Sequence, residues 1–280
     1  MHRRVQARKV VKMTLFYLAI TGMAVITLLP FLWMISSSFK SAEVIRTLPI
    51  RWIPEHPTLE GYQRVFQMQG FSFGRATFNS FFLSISCTVV AVLSASMAAF
   101  VFAKIPFKGS ARLFGVYLAT MMIPGTVTMV PNYIILKIMG LLDTHIGLIL
   151  PSLSNAFGVF LMRQAILTVN DAYMESALLD GASLYRIFWR IILPMVAPTL
   201  ATMILLSFMG NWNSYLWPLI VLSSNEKQTL QVVLGNMTSM YKNKEHVLMA
   251  GAVLTILPIL VVYLFTQRYV DNGIAVGGLK

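Results

Sequence analysis

The sequence predicts an all-α, polytopic membrane protein with six transmembrane helices, and three observations predict it. Of its 280 residues, 57% are hydrophobic and only 11% charged, with a mean hydropathy of +0.71, which lies outside the range of a soluble globular domain. Six apolar runs each approach the length of about 20 residues that carries a helix across a bilayer core. The runs are continuous rather than alternating, which excludes a barrel of short tilted strands. The spans are placed near residues 13–35, 79–103, 112–132, 146–163, 197–222 and 247–267, and residues 1–280 read as a single transmembrane domain.

The first span follows a basic tail of Arg3, Arg4, Arg8, Lys9 and Lys12, which has the character of a signal-peptide n-region. The apolar run behind it is longer than a signal peptide's, and no small-x-small cleavage site follows, so it is read as an uncleaved first helix. With both termini cytoplasmic, 13 of the 22 Lys and Arg residues fall on inner segments and 9 on outer ones. Five of the outer residues sit in the long loop 36–78, which carries less weight in the positive-inside rule. The net charge of +12 is scattered over short loops; it is assigned to topology and anionic lipid headgroups, not to nucleic acid.

The loop 36–78 contains Pro49, Pro54 and Pro57, and then Thr58-Leu59-Glu60-Gly61-Tyr62 opens a short amphipathic piece. The second span carries Asn79, Ser80, Ser84, Ser86, Ser94 and Ser96 among small residues, which suits close helix packing and interhelical hydrogen bonds in lipid. Cys87 is alone, so an internal disulfide is excluded and no metal site is expected. Pro124-Gly125 and Pro131 interrupt the third span, as a simple kink or as the lining of a pathway. Asp143 and His145 fall in an outer turn, where His145 is expected to be solvated.

Between the fourth and fifth spans lies a polar island, Tyr173 to Pro198, that reads as two short helices with a sharp break, an elbow over 171–196. Asp171 is placed to cap the first helix. Asp180-Gly181 ends it, because glycine takes the left-handed conformation without side-chain cost. Ser183 is placed to cap the second, which runs until Pro194 and Pro198 interrupt the ladder.

Glu175-Ser176-Ala177, Gly181 six positions after Glu175, and Ile191-x-Leu193-Pro194 together resemble the EAA signature of ATP-binding-cassette importer permeases. Ser176 is the one departure from the E-A-A part, small for small. The bland alternative is an interfacial hairpin with capping residues. The resemblance implies a cytoplasmic elbow that docks on a separate ATPase. Glu175, Ser176, Ala177, Asp180, Gly181 and Ala182 would then shape or contact the docking helix, while Ile191, Leu193 and Pro194 anchor its return. PTLEGYQRVF, SSSFKSAEVI, NWNSYLWPLIVL and the tail from Asp271 to Lys280 are similar to the carbohydrate branch, most like the smaller permease subunit of maltose-type importers. That resemblance implies a second, different permease, two ATPase subunits, an external solute-binding protein and a sugar or oligosaccharide as partners. The loops 36–78 and 223–246 would face the binding protein.

The fifth span holds Asn211, Asn213, Ser214, Tyr215 and Trp217, of which Asn211, Ser214 and Tyr215 fall at helical spacing on one side. Amide and hydroxyl groups beside aromatic rings suit sugar binding. An aromatic belt at the outer interface would use the same residues.

Between the ends of the six spans there is no Asp, Glu, Lys, Arg or His, which disfavours proton-coupled transport. No G-x-x-x-x-G-K-[ST] loop is present, so the chain carries no cofactor of its own, and ATP and magnesium belong to the partner ATPase. No cluster suits hydrolytic or metal chemistry, and an enzyme is not expected. The remaining alternatives are a stand-alone sodium-coupled carrier or channel and a structural scaffold.

Overall fold

The computed structural model describes the backbone of residues 2–277 apart from Leu48, Gln69 and Asn243, and side chains from Lys9 to Gln267 apart from those three, Val10, Val11 and Thr266. The side chains behind the tail reading, 271–280, and those of Arg3, Arg4, Arg8 and Arg268 lie outside the described residues. Every regular element among the described residues is helical.

Three helices are long and apolar enough to cross a membrane alone: Lys12–Ser38 within α1 (His2–Ser38), Phe73–Lys104, and Glu245–Phe265. Three bent pairs bring the number of candidate spans to six. Loop 36–78 is not a bare connector, since it carries α2 (Ala42–Ile45) and α3 (Glu60–Phe66), the amphipathic piece expected there. The second span is α4 (Phe73–Lys104).

The third span is not one helix. α5 (Ser110–Ala119) continues through a 3₁₀ turn to Met122, and the chain then bends by 100° into α6 (Gly125–Ile138). The break comes from Pro124: its ring pushes Ile123 into extended backbone (ψ 117°), where a helix cannot continue. Pro131 lies inside α6 and does not break it. The fourth span is likewise split, by 42°, into α7 (His145–Ile149) with a 3₁₀ turn over Leu150–Leu153 and α8 (Ala156–Leu167), whose N-terminus Asn155 caps by accepting from the Gly158 N–H at 2.8 Å.

The elbow follows as α9 (Ala172–Leu179), α10 (Leu184–Ile187), a π-helical turn and α11 (Leu193–Met195). α12 (Ala197–Trp212) ends well short of the expected 222, and α13 (Leu216–Val221) restarts after a non-helical joint. Pro218 explains the interruption: without an N–H it is tolerated only in the first turn of a helix. The segment 223–246 is also not a plain loop, because it carries α14 (Leu230–Met240) ahead of α15 (Glu245–Gly277).

The chain divides into two compact units, residues 1–68 with 236–255 and residues 69–235 with 256–280. In the first, Lys40 is 1% exposed, and its Nζ donates to the Arg51 carbonyl at 2.6 Å and lies 4.0 Å from the Trp33 ring centre. Burial pushes its pKa down. These contacts and the Ser36 hydroxyl's bond to the Trp52 carbonyl fasten the loop after α1. α3 approaches α15 closely at Gly61, where a Cβ would stand 2.8 Å from the His246 carbonyl oxygen.

In the second unit α4 is the spine, packed on both α8 and α12. The approach is closest at Gly158, where a Cβ would lie 2.3 Å from Met203 Cε and 3.1 Å from Ala95 Cβ. Around it Ala95, Ala99, Met162, Ile166, Ile187, Ile192 and Met203 form a buried core.

Elsewhere in this unit a polar knot fixes the loops around Asp143 and 223–230. Asp143 adopts a positive φ of 54°, and its carboxylate accepts from the Ser223 and Ser224 N–H groups, each at 2.9 Å, from the Ser224 hydroxyl at 2.5 Å and from Lys227 Nζ at 2.9 Å. Asn79 Nδ2 donates to the Glu226 and Gln228 carbonyls, and the Ser80 hydroxyl accepts from the Leu230 N–H at 2.7 Å. These two residues of the second span therefore secure the 223–230 segment. His145 is not simply solvated: it opens α7, part-buried, with its ring 5.8 Å from that of Phe82.

Hydrogen bonds from Ser224 first, then from Lys227 and Ser223, hold the Asp143 carboxyl well below its ordinary value of 3.8. A depressed carboxylate contributes stability that is present above the unfolded pKa and is lost as pH falls below it. Asp143→Asn keeps the shape and tolerates the left-handed backbone but removes the charge. It is expected to cost on the order of 1–2 kcal/mol near neutral pH. The gap between mutant and wild-type thermal melts in detergent is expected to close as pH drops below 3.8.

Candidate coupling elbow and solute path

Asp171 does not cap α9: its backbone is already helical (φ −63°, ψ −25°) and its side chain makes no cap bond. The Asn170 side chain takes that place, accepting from the Ala172 N–H at 3.0 Å, while the Asp171 carboxylate turns to Lys104 Nζ at 2.5 Å.

The C-terminal end of α9 forms as expected. Gly181 has φ +77°, the Ala182 N–H donates to the Ala177 carbonyl at 2.9 Å, and the Gly181 N–H donates to the Leu178 carbonyl at 3.0 Å. That pair of bonds is a Schellman motif, which only a residue at ease in the left-handed region closes without strain. Ala177 is buried in the core and Ala182 packs against it, so the turn is seated on the unit. Ser183 caps α10, accepting from the Arg186 N–H at 3.3 Å.

The return leg passes through a π turn over Phe188–Ile192, immediately ahead of Pro194. Pro194 has no N–H for the Arg190 carbonyl, and its ring crowds that carbonyl, which favours a widened turn. Leu193 is buried, Ile191 packs against the core, and Pro194 itself is exposed. Between Leu184–Met195 and α12 the chain bends by 85°, at Val196.

Glu175, Ser176 and Asp180 stand exposed on α9 and at its end. Beside them are exposed apolar groups that motif reasoning passed over: Leu179 at 90% exposure, Tyr185 at 70% and Tyr173 at 53%. The signal was available, since Tyr173, Leu179 and Tyr185 flank the same charged positions. A large aliphatic side chain left bare at the tip of a braced helix is what a docking partner would cover.

The solute-path residues divide. The helix ends at Trp212, so Asn211, Ser214 and Tyr215 do not share a helical face as expected. Asn211, Ser214 and Trp217 do line one small pocket of about 30 Å³, together with Ser80, Cys87 and Thr229. Asn211 also borders a second, larger and open, of about 210 Å³, with Ser152, Ser154, Asn155 and Ser207. Asn213 is exposed and lines neither; Tyr215 lies against Gly235, where a Cβ would meet its ring at 2.6 Å. The hydroxyls and amide of residues 152–155 come from the break between α7 and α8, and the expectation of one unbroken fourth span hid them. Trp212 is buried, stacked on Phe208 with ring centres 5.9 Å apart, and supports the wall.

Residues 91–276 match the family model described as binding-protein-dependent transport system inner membrane component. The chain is also 36% identical to the arabinooligosaccharides transport system permease protein AraQ of Halalkalibacterium halodurans, covering 92% of each chain. The chain belongs to this permease family. It is 35% identical to the lactose transport system permease protein LacG of Rhizobium radiobacter over 72% of this chain and 74% of that one. Its fold resembles a chain from a bacterial ABC transporter involved in the import of the acidic polysaccharide alginate, with a TM-score of 0.81 at 25% identity over 91% of this chain and 95% of that one. Membership in the permease family makes the chain an inner-membrane transport component and removes the stand-alone carrier, channel and scaffold readings.

Proposed function

We propose that this permease forms half of the path for a sugar or oligosaccharide, with a second, different permease forming the other half. An external binding protein delivers the solute to the outer face, where the segments 36–78 and 223–246 lie. Both termini and the elbow are cytoplasmic, and two ATPase subunits, which hold ATP and magnesium, dock on the elbows of the permease pair. Glu175, Ser176, Ala177, Asp180, Gly181 and Ala182 form and flank the docking helix, and Ile191, Leu193 and Pro194 tie its return to the bundle. ATP-driven closure of the ATPases moves the elbow, and the spans alternate the cavity between the two sides.

The observation that carries this proposal is the bare Leu179 at the tip of α9, on an elbow whose Ala177 and Leu193 are buried. A sugar is supported by the names of the relatives and by the chemistry of the cavities. Around the larger one, Asn211, Ser152, Ser154 and Ser207 offer hydrogen bonds to hydroxyl groups.

The test is to purify the chain from its native membrane in gentle detergent and identify what accompanies it. An ATPase and a second permease are expected in the same complex. Recovery of the chain alone, under conditions that preserve known importer complexes, would overturn the proposal.

A further inference from the structure

Lys104 is the last residue of α4, and its side chain is only 3% exposed. Its Nζ lies 2.5 Å from the Val169 carbonyl oxygen and 2.5 Å from Asp171 Oδ1. Val169 follows α8 and Asp171 precedes α9, so a single ammonium clasps both sides of the joint between the fourth span and the elbow. The site is favourable for a cation, since the negative end of the α4 dipole is there. Lys104 and Asp171 line an open cleft of about 230 Å³ together with Met174, Glu175 and Leu178 of α9.

The far side of this contact is the solute cavity. α4 runs unbroken for 32 residues, and Ala91, on the wall of the larger cavity, sits about 20 Å up the axis from Lys104. An unbroken helix packed along α8 and α12 transmits a displacement of its end instead of absorbing it. The elbow has other links to the bundle, through Ala177 and the return leg, but these bury apolar surface and are not directional. The Lys104 clasp fixes the position of the α9 entrance relative to α4 through two charge-assisted bonds.

We infer that Lys104 is a positioning residue through which movement of the elbow is applied to α4 and thus to the cavity wall. This inference rests on the elbow being the ATPase dock. Lys104→Met keeps the length of the stem and removes the ammonium. Asp171 is 73% exposed and stays solvated without its partner, and Arg163 still braces this end through its Nε bond to the Phe102 carbonyl. The variant therefore folds and assembles.

The experiment uses the whole complex in nanodiscs. Cys87 is replaced by Ser, and Ser154, on the cavity wall, by Cys as a reporter for a membrane-impermeant maleimide. With Lys104 present, trapping the ATPases with ATP and vanadate is expected to change the labelling rate at least fivefold. In Lys104→Met the ATPase still copurifies and hydrolyses ATP, but the change falls below twofold, and Lys104→Arg restores most of it. A wild-type-like response in Lys104→Met would overturn the inference, as would loss of the ATPase from the complex, since Lys104 would then serve assembly. Failure of the parent complex to recover an ATPase would instead refute the importer proposal beneath it.

Discussion

Gly181→Val is expected to lower recovery of the ATPase with this permease at least tenfold while leaving the six spans in place. Gly181 sits at φ +77° in open space, where a Cβ would touch nothing within 4 Å, so the penalty is conformational and not steric. A left-handed backbone costs an ordinary residue roughly 1–2 kcal/mol, and more for one branched at Cβ. The Schellman bonds from Ala182 to Ala177 and from Gly181 to Leu178 then open, and the angle at which Leu179 is presented is lost. Asn is the informative companion, since it tolerates the left-handed region: Gly181→Asn is expected to retain most of the association. Copurification and a melting curve on the same samples separate the two effects. A Val variant that binds the ATPase as well as wild type does would show that the turn is not needed.

The second large effect is expected at Gly158. Its missing side chain lets α4, α8 and α12 meet, and a Cβ there would stand 2.3 Å from Met203 Cε, 3.0 Å from Asn155 Cγ and 3.1 Å from Ala95 Cβ. Met203 has a flexible end and can move, so Gly158→Ala is expected to be mild, within about 1–3 kcal/mol. Gly158→Ile has nowhere to go: Ala95 belongs to a packed helix, and displacing Asn155 removes the cap of α8. It is expected to lower the melting temperature and folded yield sharply and to distort the cavity that Asn155 and Ala91 border. A Gly158→Ile protein that melts with wild type would contradict the packing described for the three helices.

The helical class and the spans that stand alone were legible because a bilayer demands long apolar runs. The elbow was legible because Gly181 and Ser183 carry their local chemistry in their own side chains. An interruption was expected at Pro124-Gly125 but not the 100° turn there, and the break at Asn213 was not placed, since an apolar run has the same composition whether the helix continues or turns. In the third span proline signalled a disturbance without saying whether the chain would kink or fold back: Pro131 is absorbed in α6, whereas Pro124 turns the chain by 100°. Asp171 misled for a related reason. Its residue type suits a cap, but a buried Lys104 from a distant helix competes for its carboxylate, and local sequence does not contain that competitor. Ser152, Ser154 and Asn155 reach the cavity beside Asn211 only through tertiary contact.

The most direct measurement is site-specific photo-crosslinking in native membranes, with p-benzoylphenylalanine placed at Leu179 and, as a control on the same chain, at Asn213. If the elbow is the ATPase dock, Leu179 yields an adduct containing the ATPase subunit and Asn213 yields none. Adducts of Leu179 with lipid alone, or an ATPase adduct from Asn213 and not from Leu179, would contradict it.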